Sequence, residues 1–325
     1  MNAGQVIALS GGIGGAKLAL GLYRVLGGDQ LTVIVNTGDD FEHLGLTICP
    51  DLDTVLYTLA GVSNSELGWG RVAETWTFMR ALEALGGETW FRLGDADLAL
   101  HVERTRRLGS GESLSYIISD FARRLGISAN VVPASDDPVR TRVITASGEL
   151  AFQDYFVRQR CAPSVKTVRF AGAASAAPAP GVLRALTTPG KRAIILCPSN
   201  PFLSVAPILA VPGMAAGLLA SGAPIVAVTP LIGGEAVKGP TAKIMAELGL
   251  PLTPCAVAQH YADLIDGFVL DSKDAALSGS LDCPVHITDT LMQSLADRER
   301  LAGEVLAFAD RLRAAPGRRV AQGRT

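Results

Sequence analysis

The chain has 325 residues, 29 Lys and Arg against 31 Asp and Glu, and a formal net charge of −2. That balance excludes the basic excess of a nucleic-acid surface, and the length is enough for a large core in one elaborated domain or two closely joined ones. Hydrophobic residues make up 48%, but apolar runs such as 193–197 and 224–228 are short and bounded by Gly or Pro, far below the roughly 20 residues that span a bilayer.

The chain opens on a strand over 5–9, a glycine-rich turn and a helix over 16–26. A second strand over 31–35 runs into Asn36-Thr37-Gly38-Asp39-Asp40. The early start of the first strand leaves no room for a signal peptide. Three consecutive helices are expected over 71–85, 97–108 and 113–125, with Ser113 as an N-cap. A β-hairpin follows over 140–145 and 150–157, turning at Ser147-Gly148. The Ala- and Pro-rich stretch 172–181 is a loop or crossover. Further strands are expected over 193–196, 225–228, 268–270 and 285–287. Alternating strands and helices imply a parallel sheet with right-handed crossovers. The expected class is therefore α/β: a Rossmann-like, doubly wound, mainly parallel sheet carrying a helical and β-hairpin insertion. The core would comprise 1–60 and 191–315. Residues 61–190 would be the insertion covering an acceptor site, and 316–325 a flexible tail.

The five cysteines, Cys49, Cys161, Cys197, Cys255 and Cys283, have no CxxC spacing, which fits free thiols in a reducing cytoplasm. The four histidines are dispersed and define no zinc site.

Polar clusters fall at the carboxyl ends of the expected strands, where doubly wound sheets bind ligands. Ser10-Gly11-Gly12-Ile13-Gly14-Gly15-Ala16-Lys17 joins the first strand to the first helix. Glycines permit close backbone approach, the helix start offers N–H groups to a phosphate, and Lys17 adds a charge. The run lacks the GxxxxGK[ST] pattern, and Lys17 stands where a dinucleotide fingerprint needs its third glycine. The alternative is a tight turn with no ligand. Asp39, Asp40, Asp51 and Asp53 form an acidic cluster of hard oxygens suited to Mg²⁺; the alternatives are a solvated turn and a helix cap. In Pro198-Ser199-Asn200-Pro201 a hydroxyl can meet a phosphate and an amide a base edge, or the loop is a rigid turn. Arg92 is a candidate anion or substrate contact. His101 fits a core histidine. Trp69 and Trp76 could stack on a planar ring, although the apolar spacing around Trp76 fits core packing.

These segments, together with Leu93-Gly94-Asp95-Ala96-Asp97-Leu98-Ala99, Ser135-Asp136-Asp137-Pro138-Val139 and Phe152-Gln153-Asp154-Tyr155-Phe156, make the chain resemble the 2-phospho-L-lactate transferase family over nearly its full length. The resemblance implies Mg²⁺ dependence, a guanosine diphosphate-linked three-carbon acid as donor, the deazaflavin Fo as acceptor, and a place in coenzyme F420 biosynthesis. The acid could be phospholactate, phosphoenolpyruvate or a phosphoglycerate. A homodimer is a family expectation. Family contacts to Fo map onto Asp53 and Arg92. One departure is Ala96, where the family usually carries Arg. In the mechanism this implies, the glycine loop, Lys17, Ser199 and Asn200 hold the donor, and Asp39 and Asp40 hold Mg²⁺. Asp51 completes the metal shell, and Asp53 orients the attacking hydroxyl. The rival functions are a nucleotide-sugar-binding regulator with the same glycine loop and an NAD-dependent oxidoreductase.

Overall fold

A computed structural model describes residues 4–64, 68–236 and 240–314; the tail expected over 316–325 lies outside them. The elements up to residue 124 are β1 (Gln5–Ser10), α1 (Ile13–Leu26), β2 (Leu31–Val35), β3 (Phe41–His43), β4 (Leu46–Ile48), α2 (Pro50–Leu59), α3 (Thr77–Ala84), α4 (Asp95–Gly109) and α5 (Leu114–Arg124). Next come β5 (Asn130–Pro133), β6 (Arg140–Thr145), β7 (Gly148–Ala151), β8 (Val165–Ala171), α6 (Pro180–Thr187), β9 (Lys191–Leu196), α7 (Ala206–Leu209), α8 (Met214–Ala220) and β10 (Ile225–Val228). The chain then runs through β11 (Leu231–Ile232), β12 (Glu235–Ala236), α9 (Thr241–Glu247), α10 (Pro254–His260), β13 (Gly267–Asp271), β14 (Val285–Thr288) and α11 (Leu295–Ala314).

Seven strands form one parallel sheet in the order β14-β13-β10-β9-β1-β2-β5. The chain starts in the middle, winds outward through β2 and β5, then returns to wind the other way. The switch point lies between β1 and β9, where Leu9 pairs with Leu196. Near-continuous runs such as Val6-Ile7-Ala8-Leu9 are buried along their length, as a sheet covered on both faces requires. One face packs on α1, α2, α5 and α11. The other packs on α6, α8, α9 and α10.

The middle of the chain differs from the expected insertion. β5, inside 61–190, is an edge strand of the central sheet, so that span shares its core. The hairpin β6–β7 forms as expected, and β8 extends it to a three-stranded antiparallel sheet. Its second strand stops at Ala151 instead of continuing to 157. Phe152 and Tyr155 are both buried; that spacing of three suits a helical turn and not the period of two of a strand. Among the described residues, no single helix is long and apolar enough to cross a membrane.

Candidate functional site

The switch point opens into a cavity of about 640 Å³. The loops after β1 and β9 form its floor and are locked together. The Gly11 N–H donates to Ser199 Oγ at 3.0 Å. A Cβ on Gly14 would overlap the Pro198 carbonyl oxygen, one on Gly15 the Ser199 hydroxyl, and one on Gly11 the Ser204 side chain. These glycines are thus required by loop-to-loop contact, in addition to any approach by a ligand. Gly12, Ile13, Gly14 and Lys17 line the cavity. Helix α1 starts at Ile13, and its N-cap Gly12 brings no side-chain hydrogen bond, so its first N–H groups and positive dipole end face the space. Ser10, Gly11 and Gly15 do not line it: Ser10 is fully buried, its Oγ donating to the Gly11 carbonyl at 2.9 Å. Lys17 Nζ donates to the Met292 carbonyl at 2.9 Å, tying α1 to the segment after β14.

The acidic cluster divides in two. Asp39 and Asp51 line the cavity. The single Asn36 amide donates to both, at 3.1 Å to Asp39 Oδ1 and 2.9 Å to Asp51 Oδ2. Burial and the nearby Asp51 carboxylate push the Asp39 carboxyl well above its ordinary range. Burial lifts Asp51 to about 7, against the lowering effect of the Asn36 bond. Asp40 and Asp53 lie behind the wall. Burial raises Asp40 to about 7, opposed by Arg140 and Arg104. Asp53 forms a two-pronged ion pair with Arg104, at 2.5 and 3.1 Å, and Arg104 has no exposed surface. Beyond it, His101 Nε2 lies 3.2 Å from Asp97, which accepts the Tyr57 hydroxyl at 2.6 Å.

Two expectations change accordingly. The wall carboxylates are Asp39 and Asp51, not Asp39 and Asp40, because the chain turns at Gly38 and Asp39 and leaves the Asp40 carboxyl behind the wall, under the charges of Arg140 and Arg104. Asp53 is held by Arg104 and does not reach the cavity. Among the described residues no group of three or more His, Cys, Asp or Glu is set out to hold a metal. Two buried carboxylates on a wall shared with the start of α1 still fit Mg²⁺, which keeps several waters and takes its remaining ligands from substrate phosphates.

Ser199 and Asn200 both line the cavity. The Asn200 amide is largely committed: Oδ1 accepts from the N–H groups of Phe202 and Leu203, and Nδ2 donates to Thr241 Oγ1 at 2.9 Å. These bonds fix the turn that starts at Pro201 and hold the amide in place on the wall. Arg92 and Trp69 line the cavity, with Trp69 40% exposed.

Sequence reasoning assigned no role to several other wall residues: Trp90, Phe91, Phe152, Phe156, Ile232 and Met292. Phe152 and Phe156 stack nearly parallel, 5.4 Å apart at 8°. Their spacing of four, directly after a hairpin, was the signal available. Trp90 and Phe91 belong to a loop with no periodicity to mark them.

The model for "2-phospho-L-lactate transferase CofD" matches residues 6–309. The chain belongs to the 2-phospho-L-lactate transferase family. Within this transferase family it is 40% identical over 318 residues to a phosphoenolpyruvate transferase of Streptomyces avermitilis, covering 95% of this chain and 99% of that protein. It is 41% identical over 324 residues to the phosphoenolpyruvate transferase of Kitasatospora aureofaciens, covering 95% and 99%. The 2-phospho-L-lactate transferase of Methanosarcina mazei is 38% identical over 300 residues, covering 91% and 98%. The solved structure of a UPF0052-family protein from Bacillus halodurans superposes with a TM-score of 0.63 at 16% identity, covering 93% of this chain and 99% of that one. At that identity the likeness shows the fold the transferase family shares with it.

Proposed function

We propose that the protein transfers a phospho-three-carbon-acid group from its guanosine diphosphate-linked donor to the terminal hydroxyl of the deazaflavin Fo, with Mg²⁺, in coenzyme F420 biosynthesis. One observation carries this reading: a helix N-terminus, Lys17, a pair of carboxylates and an aromatic wall all open into one cavity. A diphosphate with its Mg²⁺ suits the first three and a planar deazaflavin the fourth. Phosphoenolpyruvate is the acid favoured by the names of the relatives in Streptomyces and Kitasatospora.

In this reading the hydroxyl oxygen bonds to the phosphorus nearest the acid. The bond from that phosphorus to the oxygen bridging to GMP breaks. GMP leaves as an anion, and the hydroxyl proton passes to water. Catalysis of this kind depends on positioning and charge neutralisation. The N–H groups of α1 and Lys17 hold the diphosphate. Asp39 and Asp51 would hold Mg²⁺, which when bound offsets the phosphate charge. Asp53 acts from behind: clamped by Arg104, it fixes the first turn of α2 and so aims Asp51. Trp69 and Arg92 meet the acceptor.

The test is incubation with Fo, Mg²⁺ and each guanylylated acid in turn, followed by mass spectrometry. The expected products are the phosphodiester and GMP, fastest with the phosphoenolpyruvyl donor. If no donor yields a phosphodiester, the reading is wrong.

A further inference from the structure

Two of the wall residues, Arg92 and Trp69, share a partner that does not line the main cavity. The Arg92 guanidinium lies over the Trp76 ring, 4.2 Å from its centroid. Trp69 meets the same ring edge-on at 6.0 Å and 61°. Trp76 packs from behind on the small cluster of Ile48, Met79 and Leu93.

An exchange of caps between two helices fixes this ring. Trp76 is the residue preceding α3, and the α3 N–H groups of Thr77 and Phe78 donate to the Asp95 carboxylate, both at 3.0 Å. Asp95 opens α4, and the α4 N–H groups of Ala96 and Asp97 donate to Glu74, both at 2.8 Å. The Asp95 N–H closes the clasp on the Thr75 carbonyl at 3.0 Å. Gly94 makes this approach possible, since a Cβ there would overlap the Glu74 carboxylate. Each carboxylate sits at a helix N-terminus, where the dipole favours it.

We propose that Trp76 is a positioning residue for the acceptor, acting through Arg92. The inference rests on the function proposed above. An aromatic ring grips the flat face of a guanidinium and leaves its in-plane N–H donors available, whereas a carboxylate partner would consume them. The clasp thus presents Arg92 to the cavity already oriented, with its hydrogen-bonding edge unspent among the described residues.

The test measures KM and kcat for Fo and for the donor with wild type, Trp76→Phe, Trp76→Ala, Arg92→Ala and the Trp76→Ala/Arg92→Ala double variant, alongside melting temperatures. Trp76→Ala is expected to raise KM for Fo about two- to fivefold, the size of a cation–π contact to an exposed arginine, with donor KM unchanged. Trp76→Phe, which keeps a weaker ring, should fall between and covers the case in which Trp76→Ala does not fold. In the double variant KM for Fo should match that of Arg92→Ala alone, because the ring acts through the arginine. Unchanged KM for Fo in both Trp76 variants, an equal rise in donor KM, or additive effects in the double variant would each overturn the inference while leaving the transferase reading intact. Absence of turnover in the wild type would remove both.

Discussion

Asp39 and Asp51 illustrate how much a single side chain's setting decides. Both are buried, both are lifted by loss of water, and one amide serves the pair. Asp51→Asn should lower turnover by about a hundredfold or more, on the scale of losing a main electrostatic contact. The melting temperature of the metal-free protein should stay level or rise, since a desolvated charge has gone. A large fall in melting temperature would mark the residue as structural. Lys17→Ala should raise KM for the donor about tenfold or more, the worth of a hydrogen bond from a charged group, with KM for Fo unchanged. Equal effects on both substrates would contradict its place on the donor side. The acidic residues and Lys17 were legible in the sequence as types at strand ends. Which carboxylates face the cavity was not, because adjacent residues in a turn can point to opposite sides and only the packed neighbours, Arg104 and Arg140 here, settle the direction.

At the level of elements, α2 and α4 form the support beneath the site. Arg104, at 0% exposure, reaches from α4 to Asp53 in the first turn of α2. Breaking a buried pair leaves the partner charge uncompensated, so Arg104→Met should cost about 3–5 kcal/mol in denaturant unfolding. Adding Asp53→Asn should recover part of that loss; a double variant no more stable than the single one would show that the pair is not the cause. Strand and helix existence was legible from apolar runs and from the helical spacing of apolar residues. The start of α3 at Thr77, six residues later than the apolar spacing suggests, was not. Its cap comes from Asp95, far along the chain, and local sequence carries no trace of a distant cap.

For the molecule as a whole, the buried carboxylates couple stability to pH and to cations. Asp40 and Asp51 sit near 7 and Asp53 near 6 in the folded protein, against 3.8 unfolded. The folded state therefore binds more protons between those values, and stability is lost as pH rises from about 4 through about 7. Melting temperatures in EDTA should fall across that range. Mg²⁺ should raise them more at pH 8 than at pH 6, because it favours the ionised pair on the wall. A flat EDTA profile, or an Mg²⁺ effect equal at both pH values, would contradict this account.

The sequence by itself determined the class of fold, the doubly wound core and the family, because near-continuous apolar strands, glycine turns and ordered motifs are local properties of the chain. It also placed the polar clusters at the strand ends, where topology leaves loops around the cavity. Only the tertiary structure decided that β5 joins the sheet, that Asp51 faces the cavity while Asp53 is clamped behind it, and that Phe152, Phe156, Trp90 and Phe91 complete the wall. Those facts depend on contacts between residues far apart in the chain, and such contacts are set by close packing, which leaves no local pattern to read.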